Sequence, residues 1–197
     1  MKRVIIVLVS LLLIVITSFA QNRADSTEHL AFKGVPIDGT LNEFVLNLKK
    51  KGFTHVGTED GVAMLKGDFA GYKNCIVGIS TLKQKDLVTK ITVVFPEQNR
   101  WSNLSSDYFI LKELLIEKYG EPSESVEEFK SSIKPKDDND KMYEIMENKC
   151  NYYTTFEINN GSIQLSIDHK FIHSFVMLTY YDKINVRIIR TKAIDDL

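Results

Sequence analysis

The sequence is poor in the residues that mark disordered or fibrous chains. Glycine and proline occur only 10 and 4 times in 197 residues, while hydrophobic residues make up 44% and charged residues 26%. This composition excludes a disordered, collagen-like or low-complexity protein. The length favours one domain or two small halves, and it leaves no room for two large catalytic domains.

An apolar run long enough to span a bilayer is also missing. Lys2 and Arg3 precede the apolar stretch 4–16, which is interrupted only by Ser10, and small residues at 18 and 20 precede Gln21. A membrane span needs about 20 apolar residues. The pattern is therefore typical of a secretory signal peptide over 1–20, and it predicts a periplasmic or secreted protein with no stable membrane span after cleavage. No cysteine lies near the cleavage point, which argues against a lipoprotein.

The chain has no excess of positive charge. Removal of Lys2 and Arg3 leaves 23 basic residues against 26 acidic ones. The run Lys49–Lys51 falls at the end of a predicted helix, where cations interact favourably with the helix dipole. We expect no nucleic-acid partner and no polycationic face for anionic lipid.

Cysteine is scarce, with only Cys75 and Cys150 in the whole chain. They begin runs that occupy equivalent positions in two similar halves, so the sequence predicts either a disulfide between them or two separate buried thiols. A bond requires Cα atoms within about 7 Å. The chain is long enough to fold without one.

The predicted elements describe an α+β protein with two related halves, each a helix packed on antiparallel strands. Residues 21–35 are expected to be a flexible mature N-terminus, followed by a first half over 36–98. A capping box formed by Thr40 and Glu43 starts a helix that Gly52 ends. Strands are predicted over 62–65, 75–80 and 87–95.

The second half, 99–197, is predicted to contain a helix over 105–119 and a polar insertion over 121–149 with a short helix at 141–147. Asn160–Gly161 indicates a type I′ hairpin turn. In that register Ile158 faces Ile163 and Phe156 faces Leu165, with the apolar side chains on one face. A central strand is predicted over 175–181, and a final helix or tail follows Asp182.

Chemical motifs are largely absent. No GxGxxG, GxxxxGK[ST] or GxSxG pattern occurs, and the acidic run 137–140 lacks the spacing of a calcium loop. His169 and His173 lie four residues apart along strand-like sequence, which separates them by about 13 Å. Neighbouring strand residues point to opposite faces, so Asp168 does not orient His169. We predict no catalytic, cofactor-binding or metal residues, and no cofactor.

Aromatic residues offer a weaker signal. Trp101 and the tyrosine pairs 152–153 and 180–181 are candidates for a recognition surface. The alternation of a strand favours the core for Tyr152 and Tyr180.

The chain resembles a group of small uncharacterised exported proteins of Gram-negative bacteria. The resembling stretches are FKGVPIDGTLNEFVLNLKKKGF (32–53), LKGDFAGYKNC (65–75), LKELLIEKYGEP (111–122), the Asn-Gly hairpin, YYDKIN (180–185) and the terminal DDL. More distantly, its tandem helix-plus-sheet plan resembles the β-lactamase-inhibitor proteins and the small lipoproteins of the outer-membrane barrel-assembly machinery. Those families act by binding other proteins, but the lipid-bearing cysteine is missing here and no binding residue carries over.

Together these features favour an exported, non-catalytic protein-binding module whose partner is another envelope protein. Two alternatives stay open. One is an envelope hydrolase with a site assembled from distant residues, which requires a deep pocket holding at least two perturbed titratable groups. The other is a carrier of a small apolar ligand bound between helices and sheet, which requires a large apolar cavity.

Overall fold

A computed structural model describes residues 28–82, 85–195 and 197, so the predicted signal peptide lies outside the described residues. The fold is α+β, as the sequence predicts. The first part contains β1 (Ala31–Phe32), β2 (Val35–Pro36), α1 (Leu41–Lys50), β3 (Thr54–Glu59), β4 (Val62–Phe69), β5 (Tyr72–Thr81) and β6 (Val88–Val94). The second contains α2 (Trp101–Tyr119), β7 (Glu124–Phe129), α3 (Asp138–Met146), β8 (Cys150–Ile158), β9 (Gly161–Lys170), β10 (His173–Asp182) and α4 (Ile184–Asp195).

Eight of these strands form one antiparallel sheet in the order β3-β4-β5-β6-β10-β9-β8-β7. Each set of four strands is a meander that follows a helix, α1 before β3 and α2 before β7. The meanders meet at the centre, where β6 pairs with β10 and Ile91 lies opposite Tyr180. Strands β1 and β2 form a separate small hairpin.

Helix α1 begins as its sequence predicts. The Thr40 hydroxyl accepts a hydrogen bond from the Glu43 backbone N–H at 3.3 Å, and the Glu43 carboxylate accepts one from the Thr40 N–H at 3.0 Å. This reciprocal pair satisfies two backbone donors at the helix start. Phe44 and Leu48 on its inner side are buried against the sheet.

The core lies between the helices and one face of the sheet. Helix α2 contributes a buried stripe: Trp101, Leu104, Tyr108, Leu111 and Leu115. Alternate residues of the inner strands are buried beneath the helices, as Cys75, Val77 and Ile79 are on β5. Alternation therefore gives the sheet a covered face and an uncovered face.

The β8–β9 hairpin forms, but its predicted register is wrong. Ile158 lies opposite Gly161 and Phe156 opposite Ile163, so the two turn residues are Asn159 and Asn160. Gly161 does not adopt a positive φ. Its missing side chain matters for packing instead, because a Cβ there would lie 2.1 Å from the Tyr181 carbonyl oxygen. The shift amounts to two residues, so every side chain keeps its predicted face.

Two edge strands escaped prediction. Strand β3 has the sequence THVGTE and is exposed along nearly its whole length, while β7 (ESVEEF) falls in the predicted polar insertion. Neither shows the alternation that marks a half-buried strand. Helix α2 begins at Trp101 and α3 at Asp138, each earlier than predicted. Asp137 caps α3 by accepting a hydrogen bond from the Asp140 N–H.

Residues 28–35 are the described part of the segment that was expected to be flexible, and they pack on the rest of the fold. Leu30, Phe32 and Val35 are buried in the core. The Phe32 ring stacks on Phe69, with centroids 5.0 Å apart. The segment is too short for a periodic pattern, so its role in the core had no signal in the sequence.

Candidate functional site

The histidines singled out in the sequence do not come together. His55 hydrogen-bonds the Thr58 hydroxyl at 3.0 Å, and His173 forms an ion pair with Glu97 at 2.6 Å. His169 lies opposite Ser174 in the sheet, which places its side chain on the other face from that of His173. No group of three His, Cys, Asp or Glu residues in the described ranges is arranged to hold a metal ion.

The two cysteines do not form a disulfide. Cys75 on β5 and Cys150 at the start of β8 are both free thiols. These strands are four positions apart in the sheet, a separation of about 19 Å at the usual strand spacing. Counted from the helix that precedes each meander, Cys75 lies on the third strand and Cys150 on the second. Burial raises the pKa of the Cys150 thiol to about 12 and also raises the pKa of Cys75, so neither is an activated nucleophile.

The aromatic residues divide between the two faces. Tyr180 is buried, and Tyr152 packs on the covered face against Trp101 with ring centroids 5.0 Å apart. Tyr153 and Tyr181 alternate with them and lie on the uncovered face. The preference for the core at positions 152 and 180 therefore agrees with the structure.

A polar cluster that the sequence did not reveal joins the N-terminal segment to the end of β10. We call it the clamp, and it consists of His29, Asp38, Asp182 and Asn185. The Asp182 carboxylate is fully buried, lies 3.1 Å from His29 Nδ1, and accepts hydrogen bonds from the Leu30 and Ile184 backbone N–H groups. These contacts place a buried negative charge where the first turn of α4 can satisfy it.

The rest of the clamp engages Asp38. Asn185 donates a hydrogen bond to Asp38 Oδ1 at 2.7 Å, and His29 Nε2 lies 3.5 Å from Asp38 Oδ2. The Asn185 hydrogen bond is the main reason that the pKa of Asp38 lies below its usual value. The two nitrogens of His29 lie beside two different carboxylates, so the clamp connects the N-terminal segment to the end of β10 and to α4.

The uncovered face carries an apolar patch on its β4, β5, β6 and β10 strands. We define the patch as six half-buried residues: Val62, Met64, Ile76, Val94, Phe175 and Met177. A groove of about 740 Å³ is lined by Met64, Ile76, Val94 and Phe175 of the patch, together with Phe171 and the charged residues Lys170 and Glu97. None of the residues that line this groove belongs to a helix, whereas Val186 of α4 lies beside the same face near Ser80 and Tyr181.

The other part of the same face is polar and acidic. On β7, β8 and β9 it presents Glu124, Glu128, Tyr153, Gln164 and Asp168. The Tyr153 hydroxyl donates a hydrogen bond to Glu124 at 2.6 Å, which holds two of these groups in place. We call Glu124, Glu128 and Asp168 the acidic part of the face.

None of the helices among the described residues combines the length and apolar character needed to span a bilayer. The chain matches no protein family, no curated protein and no solved structure. The assignment of function therefore rests on the geometry of the described residues.

Proposed function

We propose that this chain is an exported, non-catalytic protein-binding module that docks another envelope protein on the uncovered face of its sheet. We further propose that the two helix-plus-meander units are related halves, since the strand order is symmetric about the β6–β10 pair. The observation that supports the binding proposal is the apolar patch with its groove, to which no helix of the described residues contributes. Soluble proteins rarely leave such surfaces without a partner.

The size of the face suits a protein partner. Eight strands at the usual spacing extend about 34 Å, and a strand of eight residues is about 26 Å long. The face thus presents roughly 900 Å², and a standard interface buries about 800 Å² on each partner. A small ligand would occupy only the groove.

Charge and symmetry favour a different protein over a second copy. The apolar patch lies to one side of the face and the acidic part to the other. A face-to-face stack with its two-fold axis along the strands would place the patch of one copy on the acidic part of the other, which desolvates carboxylates without partners. With the axis across the strands, the acidic parts of the two copies would face each other and bring like charges together. We therefore expect a partner with an apolar ridge beside a basic surface.

A photo-crosslinking amino acid at Met177, on the patch, tests this function in the producing cells. It should capture one defined envelope protein, and the same group at Phe109, exposed on α2, should not. Ile76→Thr keeps a β-branched residue on β5 and should weaken capture at least tenfold. Glu124→Lys with Glu128→Lys should also weaken capture, whereas Glu113→Lys on α2 should not.

Three outcomes would overturn the proposal. Equal capture from Met177 and Phe109 would indicate non-specific contact. Capture of a second copy of this chain, with a dimer in solution, would replace the hetero-partner with self-association. A purified chain that turns over a substrate in the groove would make it an enzyme.

A further inference from the structure

A pocket of about 620 Å³ lies where helix α1 ends beside the edge of the sheet, and three lysines line it. Lys33 belongs to the turn between β1 and β2, Lys51 follows the last residue of α1, and Lys66 lies on β4. Three separate elements therefore contribute a cation to one concave surface. The other lining residues are Gly52, Thr54, Val56, Gly67, Asp68 and Asn74.

Packing around Phe53 brings these three elements together. The Phe53 ring is buried and lies on Gly67 of β4, where a Cβ would be only 2.4 Å from the ring. The ring also packs against Phe32 of β1, with centroids 6.0 Å apart. Phe53 thus joins the β1–β2 hairpin, the end of α1 and β4 in one apolar contact. The core therefore fixes the backbone positions from which the three lysines project.

The pocket has an excess of positive charge even when its carboxylate is counted as fully ionised. Among the residues that line it, Asp68 alone is acidic, and its carboxylate accepts a hydrogen bond from the Asn74 N–H at 3.1 Å. The segments that surround the pocket, 31–37, 49–58 and 62–75, contain six lysines and no acidic residue besides Asp68. This excess is local, because acidic residues outnumber basic ones in the whole chain.

The adjoining groove on the uncovered face does not offset this excess. It is lined by one carboxylate, Glu97, and one ammonium group, Lys170, and Glu97 also pairs with His173 at 2.6 Å. None of the three lysines of the pocket forms an ion pair within the described ranges. Because like charges repel, an anion bound among the three lysines would stabilise their arrangement.

The lining residues favour an anion that carries several charges on one group. No arginine lines the pocket, so it lacks the planar fork that binds a carboxylate through two hydrogen bonds. Lysines act as point charges and commonly bind phosphate. The volume lies in the range of small-molecule sites, about 300–1,000 Å³, which leaves room for more than a bare phosphate ion.

We propose that this pocket binds a small organic phosphate, with the phosphate group held by Lys33, Lys51 and Lys66. The Thr54 hydroxyl and the Asn74 amide on the same wall can hydrogen-bond hydroxyl groups of the ligand. This inference does not depend on the proposed protein partner, because crosslinking from Met177 tests that partner separately.

Backbone amide chemical shifts locate the ligand in the purified chain. The probe is fructose 1,6-bisphosphate in about 100 mM salt, which screens charges more than about 10 Å away. It should shift the amides of Gly52, Thr54 and Gly67 and leave that of Gly120, at the end of α2, unchanged. Citrate carries carboxylates instead of phosphates and should bind at least about fivefold more weakly. Equal affinity for both probes, or no shift at about 10 mM of the bisphosphate, would overturn the proposal.

Charge variants provide the second measurement. Lys66→Gln should raise the Kd for the bisphosphate about fivefold, the effect of one unit charge at about 4 Å in water. Asp68→Asn should lower the Kd about threefold, because it removes a negative charge and keeps the oxygen that accepts the Asn74 N–H. Lys192→Gln on α4 changes the net charge as Lys66→Gln does, and it should alter the Kd less than about twofold.

Two results with these variants would contradict the assignment. Equal weakening by Lys66→Gln and Lys192→Gln would show that the anion is attracted by the whole chain and not by this pocket. A higher Kd for Asp68→Asn would show that the carboxylate itself contacts the ligand, which does not fit an anion.

Discussion

The two ends of β9 show opposite uses of a tight turn. At its start, Gly161 lies against the Tyr181 carbonyl and Leu30, and the clamp residue Asp182 lies opposite it in β10. At its finish, Phe171 and Ile172 project into solvent from a turn that disfavours them. The first end is closely packed, whereas the second places a non-glycine residue at positive φ without burying it. The difference separates a position that packing constrains from one that packing leaves free.

The largest effect should come from filling the space at the packed end. Gly161→Ala would place a Cβ 2.1 Å from the Tyr181 oxygen and 2.6 Å from Leu30 Cδ1, so the backbone must move. We expect the free energy of unfolding to fall by about 3 kcal/mol in urea titration. Gly57→Ala, where no atom lies within 4 Å, is the control and should change it by less than about 0.5 kcal/mol. Equal losses in both variants would show that Gly161 is not a close-packing position.

Removal of the buried carboxylate of the clamp should destabilise the fold nearly as much. Asp182→Ala leaves the Leu30 and Ile184 N–H groups without their acceptor and removes the partner of His29. A loss of about 2–3 kcal/mol is expected, because hydrogen bonds to a buried charged group are among the stronger ones. Glu157→Gln disrupts the exposed pair with Lys183 and should cost less than about 1 kcal/mol. A small loss for Asp182→Ala would mean that water replaces the carboxylate and that the N-terminal segment is held by its apolar contacts alone.

At the exposed end, a substitution should raise the free energy of unfolding instead of lowering it. Phe171→Gly relieves the positive φ and removes little buried area, so we expect the free energy of unfolding to rise by about 0.5–1 kcal/mol in urea titration. Ile172→Ser, which leaves φ at 171 unchanged, should shift it by no more than about 0.5 kcal/mol. If Phe171→Gly destabilised the protein as much as Gly161→Ala, the Phe171 side chain would contribute to the stability of the fold.

Some elements of this fold can be predicted from the sequence, and others cannot. Helices with an apolar stripe and caps, such as α1, and strands with alternating residues were predictable because the covered face imposes a period. Edge strands such as β3 were not, since an exposed edge imposes none. The clamp was hidden because His29 and Asp182 are 153 residues apart and meet only in the folded chain. The same holds for the uncovered face, whose apolar and acidic parts come from strands distributed over the whole sequence.

The smallest predicted effect is a loss of stability at low pH that arises from Asp38, at the packed end of β9. Because the pKa of Asp38 is lowered chiefly by the Asn185 hydrogen bond, its contribution to stability is complete above the unfolded value of about 4 and is lost as the pH falls through the folded value. The side chain is 44% exposed, so solvent screening limits this contribution to less than about 1 kcal/mol.

Urea titrations between pH 7 and pH 2.5 measure this contribution. In both Asp38→Asn and Asn185→Ala, the free energy of unfolding should fall less at low pH than it does in the native chain. Phe171→Gly removes no titratable group, so its stability difference should be the same at every pH. If the free energy of unfolding of Asn185→Ala fell at low pH as much as that of the native chain, the Asn185 amide would not stabilise the Asp38 carboxylate. If the stability difference between Phe171→Gly and the native chain changed with pH, Phe171 and the clamp would be coupled along β9. The two ends of the strand would then not be independent.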